Sequence, residues 1–295
     1  MNPLPAETAA QLALALAFLF GSNVGSFLNV VAHRVPLGLS VVRPRSRCPA
    51  CRTPVRAIDN IPIVSWILLR GRCRGCKGAI SVRYLAVEVT TGLIAACTVL
   101  VLVLRSGAPE GDLSPWFHAA AVFVVTAAML AAALIDIDHR ILPDAITIPG
   151  MWSAPVLAAL VPELTLGASR EVPAWLPAAC PARIAAAALS IAGIAVGAGV
   201  IWLLGVAGSK VFGKEAMGFG DVKYLGMIGG CTGPAGAVLT LVVAAFVGSV
   251  AGLVRVLMTR DRYIPFGPFL AIGGLFAFLH GREFIGWYLA HFAGV

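Results

Sequence analysis

"IAAAALSIAGIAVGAGVIWLL", residues 184–204, runs from end to end without a charged side chain. A helix needs roughly 20 apolar residues to cross a hydrocarbon core, so this stretch reads as a membrane span. Six more clear candidates flank it, at residues 12–32, 84–104, 117–135, 145–160, 238–257 and 266–289. A weaker, glycine-laden one covers 221–231. The whole chain agrees with this reading, being 59% hydrophobic and only 12% charged, with a mean hydropathy of +0.90. A soluble domain carries about 25% charged residues, and one with these runs would leave large apolar patches uncovered. The expected fold is therefore an all-α polytopic membrane protein of about eight transmembrane helices. The first span lacks a basic flank, Glu7 being the only charged side chain before it, and it reads as a retained helix rather than a cleaved signal.

Charge placement orients the eight spans. With the amino terminus outside, 18 of the 22 Lys and Arg residues fall on the cytoplasmic side. Outside remain Arg105, Arg170, Arg183 and Arg282. This follows the positive-inside rule. It also supports the weak sixth span, because without it Arg255, Arg260 and Arg262 would lie outside. The formal net charge of +8 is then accounted for by topology and by attraction to anionic lipids, with no nucleic-acid partner.

The chain divides into a first transmembrane helix (1–32), a cytoplasmic tetracysteine domain (33–83) and a seven-helix membrane core (84–295). The middle segment is short for a self-standing domain and needs a staple. "CPAC", Cys48 and Cys51, and "CRGC", Cys73 and Cys76, stand 21 residues apart and supply four thiolates for a tetrahedral zinc site. Gly75 suits the tight turn of the second pair. Four thiolates fill the zinc sphere, so the expected role is structural. Between the pairs, the apolar run 60–71 either dips into the membrane interface or packs on the helices. Residues 162–183 form an outside loop rich in Pro, Ala and Leu, with Trp175 and no evident chemistry.

Acidic residues collect at one membrane face. "ALIDIDHRILPD", residues 133–144, holds Asp136, Asp138 and Asp144, and "MGFGDVK", residues 217–223, holds Asp221. Ionisable groups at that depth point to function. Two carboxylates brought together cannot both ionise cheaply, and such a pair can act as base and acid on a water molecule. Gly218 and Gly220 would let a peptide backbone approach closely. Lys223 either steers a substrate or anchors its helix at the surface. The competing readings are solvated interfacial charges, a helix-capping role for Asp144, and an ion pathway in a transporter. Glu88, near the start of the second span, reads as a structural helix-end charge. The small residues Gly21, Ser22, Gly25 and Ser26 of the first span suggest close helix packing.

Taken together, "GSFLNVVAHRVP" (25–36), the two cysteine pairs, "NIPIVSWILLRGRCRGCKGAISVRYLAVE" (60–88), "DIDHRILPD" (136–144), "GFGDVK" (218–223) and "IPFGPFLAIGG" (264–274) resemble the type IV prepilin peptidases. The resemblance implies a membrane-embedded aspartic protease of the GxGD kind in the bacterial inner membrane. It places the catalytic pair on Asp136 and Asp221, and makes residues 84–295 a peptidase core. The implied substrates are prepilins or the pseudopilins of type II secretion, cut at the cytoplasmic face. Bifunctional members then methylate the new amino terminus with S-adenosylmethionine, and the tetracysteine domain is typical of them. The residues that would bind the methyl donor are unknown from sequence. The alternative from a different class is a non-enzymatic scaffold or transporter with a zinc-ribbon head.

Overall fold

The structure, a computed structural model, describes residues 5–109, 111–167, 172–173, 176–177, 179–213, 217–259 and 265–293. Arg170, Trp175, Lys214, Arg260, Arg262 and Ile264, used in the charge and loop readings above, lie outside the described residues. The described chain is almost wholly helical and forms two compact units, Met1–Pro109 and Glu110–Val295.

In the first unit, α1 (Ala6–Arg34) runs antiparallel to α3 (Val82–Val99), with the short α2 (Val64–Leu68) between them in sequence. The expected close packing is present. A Cβ on Gly21 would lie 2.6 Å from the Thr91 carbonyl oxygen, and one on Gly25 would lie 2.9 Å from the Glu88 Cα. Asn29 continues the seam, donating from Nδ2 to the Tyr84 carbonyl at 3.4 Å. Ser81 caps α3 by accepting from the Arg83 N–H, which marks where the cysteine segment ends. In the run 60–71, Ile61, Val64, Ile67 and Leu68 are exposed while Ser65 is buried. The ring of Trp66 turns inward against Gly71, whose φ of +64° and missing side chain both suit glycine there.

The second unit is built on α4 (Ser114–His139), the most enclosed of the long helices. Around it lie α5 (Asp144–Leu160), the single turn α6 (Glu163–Leu166), α7 (Ala182–Phe212), α8 (Phe219–Thr259) and α9 (Gly267–Tyr288). Val125, Met129 and Ala132 of α4, Tyr224, Leu225 and Ile228 of α8, and Leu270 of α9 form its apolar core.

Six described helices are long and apolar enough to cross a membrane, and Asp144–Leu160 is a shorter apolar one. The expected weak sixth span, 221–231, is joined to the next one inside α8. Gly233, at φ 76° and ψ 177°, breaks the helix just before Pro234. Along a straight helix, Gly229 and Ala237 would stand about 12 Å apart. Instead a Cβ on Gly229 would sit 3.0 Å from that of Ala237. Neighbouring glycines of α9 say the same, Gly274 meeting Ile228 and Gly273 meeting Thr240. The chain folds back at Gly233, and α8 is a helical hairpin.

The region 162–183 is less accommodating than its composition suggests. Its described start, α6, is entirely buried. Arg282 holds it by donating from Nη2 to the Thr165 carbonyl at 2.9 Å.

Candidate active site

Asp136 lies in the last turn of α4. Arg140 ends that helix in the left-handed conformation, φ 57°, donating its N–H to the Asp136 carbonyl at 2.9 Å. The Asp136 side chain is 6% exposed. Its Oδ2 accepts the Gly267 N–H at 2.9 Å. That N–H is free to donate because Gly267 opens α9, where the first amides have no intrahelical carbonyl. A helix amino terminus is also a favourable neighbour for a carboxylate.

Asp221 lies in the first turn of α8 and is half-buried. Its N–H bonds to the Gly218 carbonyl at 3.1 Å, closing that turn. Leu142 joins the two acids' surroundings, lying against Gly220, which precedes Asp221, and against Gly267, which donates to Asp136. Tyr224 is completely buried and donates to the Met129 carbonyl at 2.7 Å. This bond fixes the register of α8 against α4, the two helices that carry the acids.

The remaining candidates separate cleanly. Asp138 is exposed, two residues beyond Asp136. Asp144 makes no side-chain cap of α5. It pairs with Lys223 instead, whose Nζ also stands 5.3 Å from the Phe219 ring centre. Gly220 has its closest neighbour in Leu142, 3.2 Å from a built Cβ, and Leu142 also lies 3.1 Å from one on Gly267. The absence of a side chain at Gly220 thus makes room for the loop between α4 and α5. Gly218 has only ordinary room toward Asp221 Oδ2, at 3.6 Å. Sequence reasoning missed the role of Gly267. The signal was present in "FGP": Pro268 has no N–H, which leaves Gly267 as the helix-start donor.

In the first unit the four cysteines converge, their sulfurs all within 4.8 Å of one another. Cys48 and Cys76 Sγ stand 3.8 Å apart, and Cys51 and Cys73 Sγ 4.0 Å. Tetrahedral zinc with Zn–S of about 2.3 Å needs sulfurs about 3.8 Å apart, so the set fits zinc. Two matching knuckles present them. Cys48 N–H bonds to the Thr53 carbonyl and Arg52 N–H to the Cys48 carbonyl; Cys73 N–H bonds to the Gly78 carbonyl and Lys77 N–H to the Cys73 carbonyl. The left-handed residues are Arg52 and Lys77, both at φ 59°, rather than Gly75. Thr53 pulls the Cys51 thiol down to about 6, and the Cys76 and Gly75 amides lower that of Cys73. The Gly78 amide pulls on Cys76 too, but Cys51, burial and the other thiols push it up to about 11.

Glu88 is buried, 7% exposed, and its Oε2 accepts the Ile63 N–H at 2.7 Å. That is more than a helix-end charge.

Comparison with known proteins matches both units. Residues 19–102 match the bacterial peptidase A24 N-terminal domain, and residues 123–253 match the type IV leader peptidase family. A protein of Aeromonas hydrophila named prepilin leader peptidase/N-methyltransferase is 32% identical, over 95% of each chain. One of the same name from Stutzerimonas stutzeri is 34% identical, over 98% of each. Another, from Pseudomonas aeruginosa, is 33% identical over 94% of this chain and 93% of its own. No solved structure gives a significant match. Likeness over nearly the full length, with paired acids in one unit and four cysteines in the other, places the chain in the type IV leader peptidase family.

Proposed function

We propose that the chain is a bifunctional enzyme of the bacterial inner membrane that cleaves the leader from type IV prepilins or pseudopilins and then methylates the new amino terminus. The observation that carries the peptidase half is that Asp136 and Asp221 lie on separate helices at one end of the second unit, with Leu142 packed against both Gly220, beside Asp221, and Gly267, the hydrogen-bond donor to Asp136. Both acids sit at helix ends. An ion pathway would want acids deep within the spans, so the transporter reading is the weaker. Charge placement puts this end, and the tetracysteine segment, on the cytoplasmic side.

Asp136 is the member equipped to carry the negative charge, since the Gly267 N–H and the α9 amino terminus face it. Asp221 holds the shared proton. Asp136 takes a proton from water as the oxygen attacks the scissile carbonyl carbon. Asp221 gives its proton to the carbonyl oxygen, which leaves a gem-diol. The C–N bond then breaks, the leaving amine takes the proton from Asp136, and a diol hydroxyl returns one to Asp221. General acid–base help of this kind is worth about 10²–10⁴-fold. Reconstituting the chain in vesicles with a prepilin, and following leader release and the mass of the product's amino terminus, tests both halves. An intact prepilin overturns the peptidase reading.

Gly267→Ala tests the placement of Asp136. The added Cβ would lie 2.7 Å from Asp136 Oδ2, so the carboxylate must shift. A misplacement near 1 Å costs about 100-fold, and we expect that loss in kcat with little change in melting temperature.

The four cysteines would hold one structural zinc, which in this position ties the two knuckles together. Cys48→Ser or Cys73→Ser should abolish stoichiometric zinc, measured by metal analysis of the purified chain. Thiolate zinc sites of this type contribute about 10–16 kcal/mol to folding, so the tetracysteine segment of either variant should become sensitive to protease. When bound, S-adenosylmethionine supplies an electrophilic methyl group on a sulfonium; the chain's own task is to enclose it beside the freed amine.

A further inference from the structure

The apolar run 60–71 has two placements open to it by sequence, against the helices or in the membrane interface. The structure divides the run between them. Ser65 is buried, its Oγ donating to the Ile58 carbonyl at 2.8 Å and accepting the Ile61 N–H at 3.1 Å. The Trp66 ring lies against Gly71, and its Nε1 donates to the Ile80 carbonyl at 3.3 Å. These two side chains face the body of the unit. Their neighbours do not. Ile58, Ile61, Val64 and Ile67 are 46–62% exposed, and Leu68 is 76% exposed. Positions 61, 64 and 68 recur at intervals of three and four, which puts them on one side of a helical turn. Five large apolar side chains exposed within eleven residues form a patch, and an exposed apolar patch marks a contact surface.

The backbone that presents this patch is strained and anchored. Ile63 has φ +64° and ψ −56°, and Val64 N–H bonds back to the Pro62 carbonyl at 2.6 Å. This is the rare form of γ-turn, adopted by a β-branched residue that normally avoids positive φ. Such strain persists only where the surroundings hold it. Glu88 does so, its Oε2 accepting the Ile63 N–H at 2.7 Å. Glu88 also sets the depth. It comes six residues after Val82, the first of α3, about 9 Å along the helix. The span that begins there, Val82–Leu104, has 23 residues and is about 35 Å long, against a hydrocarbon core of about 30 Å. A turn bonded to Glu88 therefore lies beside the span, at the level where headgroups meet acyl chains.

Charge agrees with that level. Residues 33–83 carry eleven Lys and Arg and a single acid, Asp59. Arg74 neutralises it with a two-pronged bond, Nε at 2.9 Å and Nη2 at 2.6 Å. Arg56, Arg70 and Arg72, which flank the patch in sequence, are exposed. An anionic leaflet attracts basic groups beside a membrane span, and apolar side chains with basic flanks are the pattern of a segment lying in the interface plane. We infer that residues 58–68 form a membrane-inserted edge of the first unit. Ile58, Ile61, Val64, Ile67 and Leu68 enter the cytoplasmic leaflet, and Arg56, Arg70 and Arg72 meet anionic headgroups. The tetracysteine segment is thus fastened to the bilayer by its own turn as well as by α1 and α3. The contact serves neither activity directly and stands whether or not the chain methylates.

Photo-crosslinking of the full-length chain tests the insertion, in vesicles of phosphatidylglycerol and phosphatidylethanolamine that also hold a prepilin. Leu68→p-benzoylphenylalanine should give, as its main irradiation product, a chain with one phospholipid attached, read by mass spectrometry of the peptide that holds position 68. Ile61→p-benzoylphenylalanine should do the same. Adding Ile67→Asp and Leu68→Asp to that second variant should lower its lipid adduct about tenfold or more, because two charges oppose burial of the edge in lipid. Both side chains are exposed, so melting in detergent should stay close to the parent's. Attachment to a second copy of the chain or to the prepilin in place of phospholipid overturns the insertion. So does the absence of a lipid adduct at both positions, or a lipid adduct that the two aspartates leave within about twofold.

Discussion

Asp221→Asn is expected to lower kcat for leader cleavage by about 10³–10⁴-fold, and Asp136→Asn by a similar factor. An amide has nearly the shape of a carboxyl group but can neither take up nor release the proton each step requires. In Asp136→Asn the side-chain amide oxygen could still accept the Gly267 N–H, so the end of α4 should stay docked on α9. The loss should therefore appear in kcat, with KM and melting temperature close to the parent. The factor corresponds to about 4–5.5 kcal/mol of transition-state stabilisation. The double variant should be scarcely worse than either single one, since the two acids act as a unit. Asp138→Asn, on the exposed side of the same turn, should cleave within a few-fold of the parent. Cleavage within tenfold of the parent by either Asp136→Asn or Asp221→Asn would rule the pair out.

The largest loss of stability is expected from Gly193→Ala, a change of one methyl group. Its Cβ would lie 2.0 Å from the Gly229 carbonyl oxygen and 2.7 Å from the Gly229 carbonyl carbon. The reciprocal contact is as close, a Cβ on Gly229 falling 2.3 Å from the Gly193 carbonyl oxygen. These are backbone atoms within helices and cannot rotate aside, so α7 and α8 must separate. Overpacking of this severity costs about 3 kcal/mol or more. It also disturbs the half of α8 that carries Asp221, because Gly197 meets the Leu225 carbonyl at 2.5 Å along the same seam. Thermal unfolding in detergent should show a lowered midpoint together with reduced cleavage. Gly199→Ala, two residues beyond Gly197, is the control. Nothing lies within 4 Å of its Cβ position, and exchanging Gly for Ala in a helix favours it by about 0.5–1 kcal/mol. Equal melting of the two variants would contradict the packing of α7 on α8.

Much of the site's raw material was legible before its geometry. Asp136 and Asp221 stood out because charges are scarce in so apolar a chain, and the cysteine spacing suggested a metal cluster because a knuckle is a local structure. Other features were not legible. Gly267 is 131 residues from the carboxylate it meets, and its sequence neighbours describe only a helix start. Lys223 looked like a surface anchor until the fold set Asp144 beside it. Glu88 looked like a helix-end charge, since nothing nearby in sequence shows that Ile63 folds back onto it.

Residues 184–204 show where the boundary lies. Their sequence alone determined that they form a helix suited to lipid, because apolar length is a property of one segment and needs no partner. The rest of the chain likewise marked its helical segments by apolar length, 221–231 and 238–257 among them, but that these two fold back on one another at Gly233 within α8 was decided by the tertiary structure. What only the tertiary structure decided is which glycine matters: Gly193 and Gly197 press against the backbone of α8, and Gly199 faces open space. The same holds for the acids. Sequence made them rare, but only the packing of α4, α8 and α9 brought two of them to one end of the unit and turned a backbone N–H toward one. Contact is a relation between distant segments, and no local pattern encodes the partner.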